Sequence, residues 1–486
     1  MTTSLHPYPA MKDSGVRWLG DVPEHWAIER LKSSTSNVIE QTVESGDDDW
    51  RIALEHVESW TGRIRRSAVG SFDSQVKRFR AGDVLFGKLR PYLAKVTRPP
   101  SNGVCVGEFL VLRPRVPNLT SPYLEELLRS KPVIDAVNSS TFGAKMPRAD
   151  WQFLGGMEVP LPPLPEQAAI VRFLDHADRR IRRAIAAKRK LIALLNEEKQ
   201  TIIQHAVTCG LDPTARLKPS GVEWLGDVPE HWEVAALGRL CTSRCDGPFG
   251  SGLKSAHYTD SGVRVIRLQN IGNGQFRDRG GAFIAEQHYA TLGDHGVVEG
   301  DLLVAGLGDE NIPAGRACIA PPRLGSAMVK ADCFRFRLRS GRTIPAFLAE
   351  HLSATASAAT RCLSTGATRL RINLSTMAAR SIALPPLEEQ RHIIDFIGGA
   401  TAPIRAAIDR AQREIALLLE YRTRLIADVV TGKLDVREAA AALPDETADS
   451  EPLDTLDAMS DSDGLSDDDE EGDGPGMDAE LAEASA

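Results

Sequence analysis

Three short motifs occur twice in this chain, and their repetition constrains its fold more than any other feature. The pairs are SGVRWLGDVPEHW at 14–26 with SGVEWLGDVPEHW at 220–232, LPPLPEQ at 161–167 with LPPLEEQ at 384–390, and VTCGLD at 207–212 with VTGKLD at 430–435. The first pair is offset by 206 residues, with twelve of thirteen positions identical, and the other two are offset by 223. The sequences between the motifs hardly resemble each other. The pattern predicts two different recognition surfaces on one repeated scaffold.

The charge of the chain is divided between a basic body and an acidic carboxyl-terminal tail. The chain has 486 residues and a net charge of −8, but residues 441–486 contain 17 Asp and Glu and no Lys or Arg. The remaining 58 basic and 49 acidic residues give the first 440 positions a net charge of +9. A basic body favours a polyanionic partner, although the charge alone also fits a mildly basic protein without one. The tail is poor in aromatic residues and is predicted to be disordered.

Cysteine usage and hydropathy indicate a soluble protein of a reducing compartment. The seven cysteines are scattered, and the one close pair, Cys241 and Cys245, has no second pair to complete a zinc site. The sequence contains no apolar core of a signal peptide and no run of about 18 apolar residues. We therefore expect a cytoplasmic protein without a metal site or a membrane segment.

The motifs of several enzyme classes are missing from the sequence. It contains no GxxxxGK[ST] phosphate loop, no GxGxxG after a strand, no HExxH and no GxSxG. The Pro-Pro pairs are followed by Leu, Arg or Ser, so the Asn/Asp-Pro-Pro-aromatic tetrapeptide of amino-methyltransferases is missing as well. The chain is predicted to be a binding protein with no catalytic residue and no cofactor of its own.

The repeated motifs predict a turn and a strand before each variable segment and a long helix after it. Pro23 and Pro229 disfavour a helix in the first motif, and its tryptophans are predicted to fill a local core. The second motif places Pro and Glu in a first helical turn, where both are favoured. Each helix is predicted to run for roughly 40 residues, or about 60 Å.

Apolar residues follow the second motif at heptad spacing in both halves. They are Leu174, Ile181, Ile185, Ile192, Leu195, Ile202 and Ala206 in the first half, and Ile397, Ile404, Ile408, Ala411, Ile415, Leu418, Leu425 and Val429 in the second. Neither stripe is stable in water, so the two helices are predicted to pair as an antiparallel coiled coil. The polar seam residues that could fix the register are Asp178, Lys188, Lys199, Thr401 and Arg422.

The variable segments, at about 33–140 and 239–363, have sequences typical of mixed α/β domains. Gly, Pro, Asn and Asp separate short β-rich runs at Val84–Phe86, Val104–Val106, Phe109–Leu112, Val263–Leu268 and Phe334–Leu338. The predicted fold class is α+β, with two mixed α/β recognition domains joined by two long antiparallel coiled-coil helices in a pseudo-twofold internal repeat.

Basic, aromatic or glycine-rich segments in the variable regions are candidates for DNA contact. Lys and Arg neutralise phosphates, Arg also binds guanine, and Gln and Asn pair with adenine. Glycine turns at 143–148 and 366–371 align at the 223 offset, with two cations in each. The candidate DNA-binding residues are Lys88, Arg90, Tyr92, Lys95, Lys145, Arg148, Gly250, Ser251, Lys254, Arg267, Gln269, Asn270, Arg369 and Arg371.

Each candidate segment also has a purely structural interpretation. Residues 87–95 could form a solvated turn after a strand, and residues 246–254 could form an ordinary flexible loop. The aligned glycine turns could cover the junction between a domain and its helix. The first long helix carries a basic run, which could be the solvated face of a coiled coil or could contact DNA or an acidic partner. The run is Arg172, Arg179, Arg180, Arg182, Arg183, Lys188, Arg189 and Lys190.

This doubled frame resembles the specificity subunit of type I restriction–modification systems, over about residues 8–436. GDVLFGKLRPYL at 82–93 and DGPFGSGLKS at 246–255 also resemble phrases from the target-recognition domains of that family. The resemblance implies that each domain recognises one half of a bipartite, asymmetric site in double-stranded DNA, and that the helices set the gap between half-sites. It also implies two methyltransferase subunits that use S-adenosylmethionine, and two restriction and translocase subunits that use ATP and Mg. The acidic tail is not part of the family pattern.

The predicted division of the chain follows the motifs. It is 1–151 for target-recognition domain 1, 152–212 for spacer helix 1, 213–374 for target-recognition domain 2, 375–436 for spacer helix 2, and 437–486 for the acidic disordered tail. Two other interpretations stay open at this point. One is an enzyme that itself cuts or methylates DNA, and the other is an adaptor whose variable domains bind proteins.

Overall fold

The computed structural model of the chain describes residues 5–42, 50–65, 75–141, 147–309, 311–363 and 370–444. Helices and strands are mixed, and the fold class is α+β. The helices are α1 Leu31–Ser34, α2 Ser121–Arg129, α3 Lys131–Ser139, α4 Trp151–Gly156, α5 Leu164–Cys209, α6 Glu286–Tyr289, α7 Pro345–Ala354, α8 Ala356–Leu363, α9 Leu374–Ala379, α10 Leu387–Val430 and α11 Arg437–Ala441.

The strands are short, and the predicted β-rich runs are confirmed. Only the run at 263–268 ends early, because residues 268–270 form a turn of 3-10 helix. The strands are β1 Met11–Asp13, β2 Asp21–Pro23, β3 Ala27–Arg30, β4 Thr35–Val38, β5 Gln41–Thr42, β6 Trp50–Ile52, β7 Val76–Phe79, β8 Val84–Gly87, β9 Val96–Thr97, β10 Gly103–Val106, β11 Phe109–Pro114, β12 Glu158–Leu161, β13 Leu217–Pro219, β14 Asp227–Pro229, β15 Glu233–Ala236, β16 Cys241–Cys245, β17 Tyr258–Thr259, β18 Val263–Ile266, β19 Phe283–Ile284, β20 Gly296–Val297, β21 Leu302–Ala305, β22 Leu307–Gly308, β23 Ala317–Ile319, β24 Ala327–Val329, β25 Cys333–Leu338, β26 Leu370–Arg371 and β27 Ser381–Leu384.

The described residues divide by packing into two units. Unit 1 contains those up to Lys190 and those from Ala411 onward, and unit 2 contains those from Leu191 to Arg410. Each unit therefore includes one half of α5 and one half of α10. In unit 1 the main sheets have the strand orders β5-β7-β10-β6 and β4-β11-β8-β9. In unit 2 they are β16-β25-β21-β23 and β17-β19-β18-β24-β20.

The central strands of both units are buried on both faces, which explains their continuously apolar sequences. In unit 1, alternate side chains of β8 and β11 pack either on α2 and α3 or on the second sheet. In unit 2, alternate side chains of β21 and β25 pack either on α7 or on the sheet around β18. The paired positions include Val111 opposite Leu85 in unit 1 and Phe336 opposite Leu302 in unit 2.

The two long helices pack against each other within each unit. In unit 1, Leu174 near the start of α5 shares a core with Leu425 and Val429 near the end of α10. In unit 2, Ala206 near the end of α5 shares a core with Ile397 near the start of α10. The helices therefore run antiparallel, and every apolar stripe residue of the prediction is buried or half-buried.

Some of the predicted seam residues form ion pairs between the helices. Arg422 of α10 pairs with Asp178 of α5, and Lys188 of α5 pairs with Glu414 of α10. Thr401 instead donates to the carbonyl of Ile397 in its own helix at 2.7 Å. A register role for Thr401 is therefore wrong, because its hydroxyl is used locally.

The first and second motifs meet through a carboxylate in each unit, which is buried in unit 1 and half-buried in unit 2. In unit 1, Glu166 accepts from the indole of Trp26 at 2.9 Å and from the hydroxyl of Tyr8 at 3.1 Å, and it lies 2.6 Å from His25 Nε2. Trp26 is fully buried, which confirms that this tryptophan fills a local core.

Unit 2 repeats this contact. Glu389 accepts from the indole of Trp232 at 3.0 Å and lies 2.8 Å from His231 Nε2. Trp232 is 1% exposed. The Trp of the first motif and the Glu of the second are therefore partners, which explains why both recur.

The glycine of the third motif closes the same cluster. Gly432 has φ +77, and a Cβ there would lie 2.3 Å from Pro23 Cδ and 2.9 Å from the Trp26 ring. Gly210 has φ +78, and its Cβ would lie 3.3 Å from the Trp232 ring. Only glycine accepts both the left-handed backbone and the close ring. Each long helix therefore ends against the first motif of the unit that contains its last turn.

The first residues of the predicted disordered tail are ordered. Its first residues, Arg437–Ala441, form α11, and Val436 and Ala440 are buried in unit 1. The prediction of disorder is therefore wrong for residues 437–444, because these small apolar side chains pack on the core of the unit. Residues 445–486 lie outside the described residues.

Glu166→Ala should loosen unit 1 selectively. The substitution leaves the Trp26 and Tyr8 donors without an acceptor, a loss of about 3 kcal/mol. Amide hydrogen exchange, followed by mass spectrometry, should quicken in residues 8–30 and at the start of α5. Glu389→Ala is the matched control, and its effect should be confined to unit 2 and smaller, because Glu389 is more exposed. Equal changes in both units from either variant would contradict this assignment.

Candidate nucleic-acid interface

In unit 1 the chain leaving β8 is paired with the segment just before α4. Lys88 N–H donates to the Glu108 carbonyl at 2.8 Å, and the Lys88 carbonyl accepts from Ala149 N–H at 2.8 Å. Arg90 N–H donates to the Pro147 carbonyl at 2.9 Å. These bonds bring two candidate regions, predicted separately from sequence, to one edge of the sheet. Arg148 lies opposite Leu89 there.

The turn after β8 holds its aromatic and basic residues in an unusual backbone conformation. Arg90 is exposed and has φ 50, and Ala94 has φ 47, so residues 91–93 form a tight 3-10 turn between two left-handed positions. Non-glycine residues in this region are strained and persist only where surrounding structure holds them. Tyr92 projects from this turn and is 44% exposed.

The basic side chains at this edge of the sheet differ in how accessible they are to a bound ligand. Arg148 is exposed, and its guanidinium donates to Glu108 at 3.2 Å. Lys88 is half-buried. Lys95 is turned inward: its ammonium donates to the Leu54 carbonyl at 2.7 Å, and burial lowers its pKa. The geometry therefore gives Lys95 a structural role in place of the predicted contact with DNA.

Unit 2 repeats the pairing with different side chains. Gly306 N–H donates to the Asp332 carbonyl at 2.7 Å, and its carbonyl accepts from Ile372 N–H at 2.8 Å. Arg371 lies opposite Leu307 in the β22–β26 pair. Its guanidinium donates to Asp332 at 2.8 Å. An exposed arginine held by the acidic residue of the turn before β11 or β25 thus recurs in both units.

An aromatic ring lies beside Arg371. The Phe249 side chain is 52% exposed, and the Arg371 guanidinium carbon lies 5.6 Å from its ring centroid. A Cβ at Gly247 would lie 2.1 Å from the backbone of Lys330, so this loop is held tightly at its base. Beyond it, Gly250 has φ +58. Further along the predicted loop, Gly252 and Leu253 are half-buried and Lys254 is exposed.

Residue 246 gives this surface a carboxyl group with a shifted pKa. Partial burial, assisted by the Asp332 carboxylate, raises the pKa of Asp246 to about 6, and Arg371 opposes the shift. The group therefore changes charge just below neutral pH, beside an arginine that is a candidate for phosphate contact.

The three predicted residues after β18, which are Arg267, Gln269 and Asn270, differ in their exposure. Gln269 is exposed. Arg267 is half-buried and donates to the Gly280 carbonyl at 2.8 Å. Asn270 is 1% exposed; its amide donates to the carbonyls of Arg277 and Arg279, and its oxygen accepts from Arg267 N–H. Base recognition by Asn270 is therefore wrong, because every part of its amide is used to fold the loop.

Three of the predicted DNA-binding residues have no described side chain. Lys145 and Arg369 lie outside the described residues, and the side chain of Ser251 is not among those described. The prediction also omitted Phe249, Glu108 and Asp332. The two acidic residues lie in corresponding turns, 224 positions apart, and this near-repeat of the 223 offset was a usable signal.

Within the described part of the chain, no cluster of His, Cys, Asp and Glu could hold a metal ion. None of the described helices is long and apolar enough to cross a membrane. What the two units do present is a pair of exposed arginines in matching backbone positions, surrounded by unlike loops. Exposed arginines are able to contact the phosphates of a polyanion.

Comparisons with known proteins find relatives that are restriction enzyme specificity subunits. The chain is 27% identical over 169 residues to the type I restriction enzyme MjaVIII specificity subunit of Methanocaldococcus jannaschii, covering 35% of the chain and 37% of that relative. It is 25% identical over 443 residues to the putative MjaX specificity subunit of the same organism, covering 86% of the chain and 96% of that relative. No family model matches the sequence.

A solved structure shares the fold. A chain from a structure on complex assembly and conformational transition of the type I restriction–modification system superposes with a TM-score of 0.60 at 18% identity, covering 84% of this chain and 98% of that one. The chain is therefore similar in sequence and in fold to type I restriction enzyme specificity subunits.

Acidification should strengthen DNA binding through Asp246. Because the pKa of this carboxyl is raised to about 6, it is ionised at pH 7.5 and largely neutral at pH 5.5. The loss of one negative charge beside Arg371 should raise affinity two- to threefold, or about 0.5 kcal/mol. Asp246→Asn should bind equally well at both pH values, apart from the background change of the rest of the chain. Fluorescence anisotropy with a labelled duplex measures both, and an unchanged pH profile in the variant would refute the assignment.

Proposed function

We propose that this chain is the sequence-specific DNA-recognition subunit of a type I restriction–modification complex, and that each variable segment recognises one half of a bipartite, asymmetric site. The observation that carries the proposal is the recurrence of one exposed arginine, Arg148 or Arg371, in the same backbone pairing and with an acidic partner, Glu108 or Asp332, in the corresponding turn. The similarity to type I restriction enzyme specificity subunits supports it.

The constant and variable parts of the two surfaces suit different roles. A cation at a repeated backbone position suits phosphate contact, which positions a protein on DNA without reading sequence. Side chains that differ between the units suit base contact. In unit 1 these are Arg90 and Tyr92, and in unit 2 they are Phe249, Lys254 and Gln269. Two unlike sets would give two unlike half-sites.

The long helices would serve as the spacer and the docking surface for partners. α5 and α10 are 46 and 44 residues long, and a straight helix of that length spans about 65–70 Å. Several of their apolar side chains are exposed, including Leu194 at 54%, Leu417 at 62% and Tyr421 at 54%. Exposed apolar side chains on a helix favour protein partners. We assign these helices to the gap between half-sites and to two methyltransferase subunits.

The chemistry belongs to other subunits of the proposed complex. The chain is a non-catalytic subunit. S-adenosylmethionine would be bound by the methyltransferase subunits, and ATP and Mg by two restriction and translocase subunits. The division into target-recognition domains at 1–151 and 213–374 and spacer segments at 152–212 and 375–436, in a pseudo-twofold repeat, is part of the same proposal.

Substitutions should separate phosphate contacts from base contacts. Arg371→Ala and Arg148→Ala should each weaken binding to any duplex about three- to tenfold and reduce the slope of log affinity against log salt by about one. Arg90→Ala should weaken only the binding of the recognised sequence. Anisotropy titrations with specific and random duplexes over a range of salt measure both effects.

Arg30→Ala is the control for these titrations. Arg30 is exposed and lies in β3, on the repeated frame. It should leave affinity and salt slope unchanged. If all four variants lost affinity equally on both duplexes, neither proposed role would stand.

A further inference from the structure

A strand, a tight turn and a loop recur in the variable segments of both units. β6 in unit 1 and β18 in unit 2 each run parallel to a neighbouring strand and lead into a turn of 3-10 helix, at Leu54–His56 or Leu268–Asn270. The two turns share only their leucine in sequence. This repeat is therefore visible in the backbone structure and not in the sequence motifs.

The last residue of each turn makes the same hydrogen bonds in both units. The His56 and Asn270 side chains each accept from the N–H of the residue before the turn, at 2.9 Å. Their carbonyls accept from the N–H groups of Arg65 and Arg277, both at 2.8 Å. Arg65 and Arg277 therefore occupy the same backbone position in two loops of unlike sequence, and both are exposed. We call them the loop arginines.

A cation that points inward holds each turn. In unit 1 the Lys95 ammonium donates to the Leu54 carbonyl at 2.7 Å. In unit 2 the Arg316 guanidinium donates to the carbonyl of the matching leucine, Leu268, at 3.1 Å and to that of Ile271 at 2.8 Å. Each cation lies directly before the strand that pairs with β8 or β21, which is β9 or β23. We call Lys95 and Arg316 the clamp residues.

These contacts place the two turns beside the candidate nucleic-acid interface. Arg316 also donates to the Leu307 carbonyl at 3.2 Å, and Leu307 lies opposite Arg371. In unit 1 the Lys95 carbonyl accepts from the N–H of Gly87 at 2.9 Å. Gly87 is the last residue of β8, and the candidate DNA-binding turn begins after it. Each clamp residue therefore joins a second loop to the sheet edge that carries the candidate interface.

Each clamp residue is also close enough to its loop arginine for their charges to repel. Burial lowers the pKa of Arg316, and the charge of Arg277 lowers it further. Burial also lowers the pKa of Lys95, where Glu55 opposes the shift and the charge of Arg65 adds to it. Two like charges at one place favour a bound anion, because an anion offsets their repulsion.

We propose that Arg65 and Arg277 each contact a phosphate of the DNA, one in each half-site, and that the clamp residues position them. This inference rests on the proposed function, to which it adds a second matched pair beside Arg148 and Arg371. Phosphates are present at every base step, whereas base edges change with sequence. An arginine at the same backbone position in two unlike loops therefore suits a phosphate better than a base.

The first test measures the clamp without DNA. Arg316→Met in the full chain removes the donors to the Leu268 and Ile271 carbonyls and keeps an unbranched side chain. Amide hydrogen exchange, followed by mass spectrometry, should quicken in residues 268–277 and stay unchanged in unit 1. Lys95→Met is the matched variant and should quicken exchange in residues 54–65. An unchanged rate in these turns, or a uniform increase over the whole unit, would overturn the clamp.

The second test measures the contact with DNA. Arg65→Gln and Arg277→Gln should each weaken binding to a random duplex about three- to tenfold and lower the slope of log affinity against log salt by about one. The double variant should lower the slope by about two. The matched controls, Arg30→Gln in unit 1 and Arg239→Gln in unit 2, change exposed arginines of the frame and should alter neither quantity. A loss confined to the recognised sequence would overturn the phosphate contact.

The two variants at position 316 test whether Arg316 positions Arg277. In the Arg316→Met background, Arg277→Gln should lose at least about half of its effect on affinity, because the two residues are coupled. In the Arg316→Lys background it should keep most of its effect, since a lysine holds the matching turn in unit 1. A full effect in the Arg316→Met background would overturn the positioning role.

The results separate the possible failures. If the unaltered chain bound no duplex while the exchange results held, the proposed function and the phosphate contacts would fail and the clamp would stand. If the Arg148 and Arg371 variants lost affinity but the Arg65 and Arg277 variants did not, this inference alone would fail. Thermal melting of each variant guards against misfolding as the cause.

Discussion

The structure depends on a hydrogen bond between a tryptophan indole and a glutamate at the start of a long helix, buried in unit 1 and half-buried in unit 2. Trp26 donates to Glu166 in unit 1, and Trp232 donates to Glu389 in unit 2. A buried carboxylate without such donors would be costly, so the two motifs require each other. The glycine that ends the other long helix packs on the same indole. One cluster in each unit therefore joins a variable segment to the start of one helix and the end of the other.

This arrangement explains why the frame repeats while the rest of the sequence diverges. Gln167 and Gln390 follow Glu166 and Glu389 directly in sequence. Each accepts a hydrogen bond from the segment that precedes the last helices of the variable region, at Thr120 and at Ile344. These contacts use backbone groups of the variable segments and few of their side chains. The loops that carry the candidate DNA-binding residues lie at the other edge of the sheet, so their sequences are free to change. Recognition surfaces of different sequence can be attached to the same frame without loss of its core.

Local signals predicted the elements well, because their causes lie within a few residues. The helix starts at Leu164 and Leu387 follow from Pro and Glu in a first turn, and the buried strands follow from short apolar runs. The repeat offset also located Arg148 and Arg371 in matching positions.

The direction of side chains depended on distant contacts and was not predictable from the sequence. Lys95 turns inward because the Leu54 carbonyl lies 41 residues away in sequence but 2.7 Å away in space. Asn270 is buried because a loop folds over it. Phe249 meets Arg371 across 122 positions of sequence, and no pattern within either segment indicates that contact.

The central claim is that this chain positions two DNA-recognition surfaces at a separation set by its helices. The most direct measurement maps modified adenines across a genome that carries the chain and its partner subunits, with four residues inserted after Leu194 and four opposite them in α10, after Ala407. One helical turn is about 5.4 Å, and a base pair rises about 3.4 Å, so the gap should lengthen by one or two base pairs. Both half-sites should stay the same. An unchanged gap, or an altered half-site, would contradict the account.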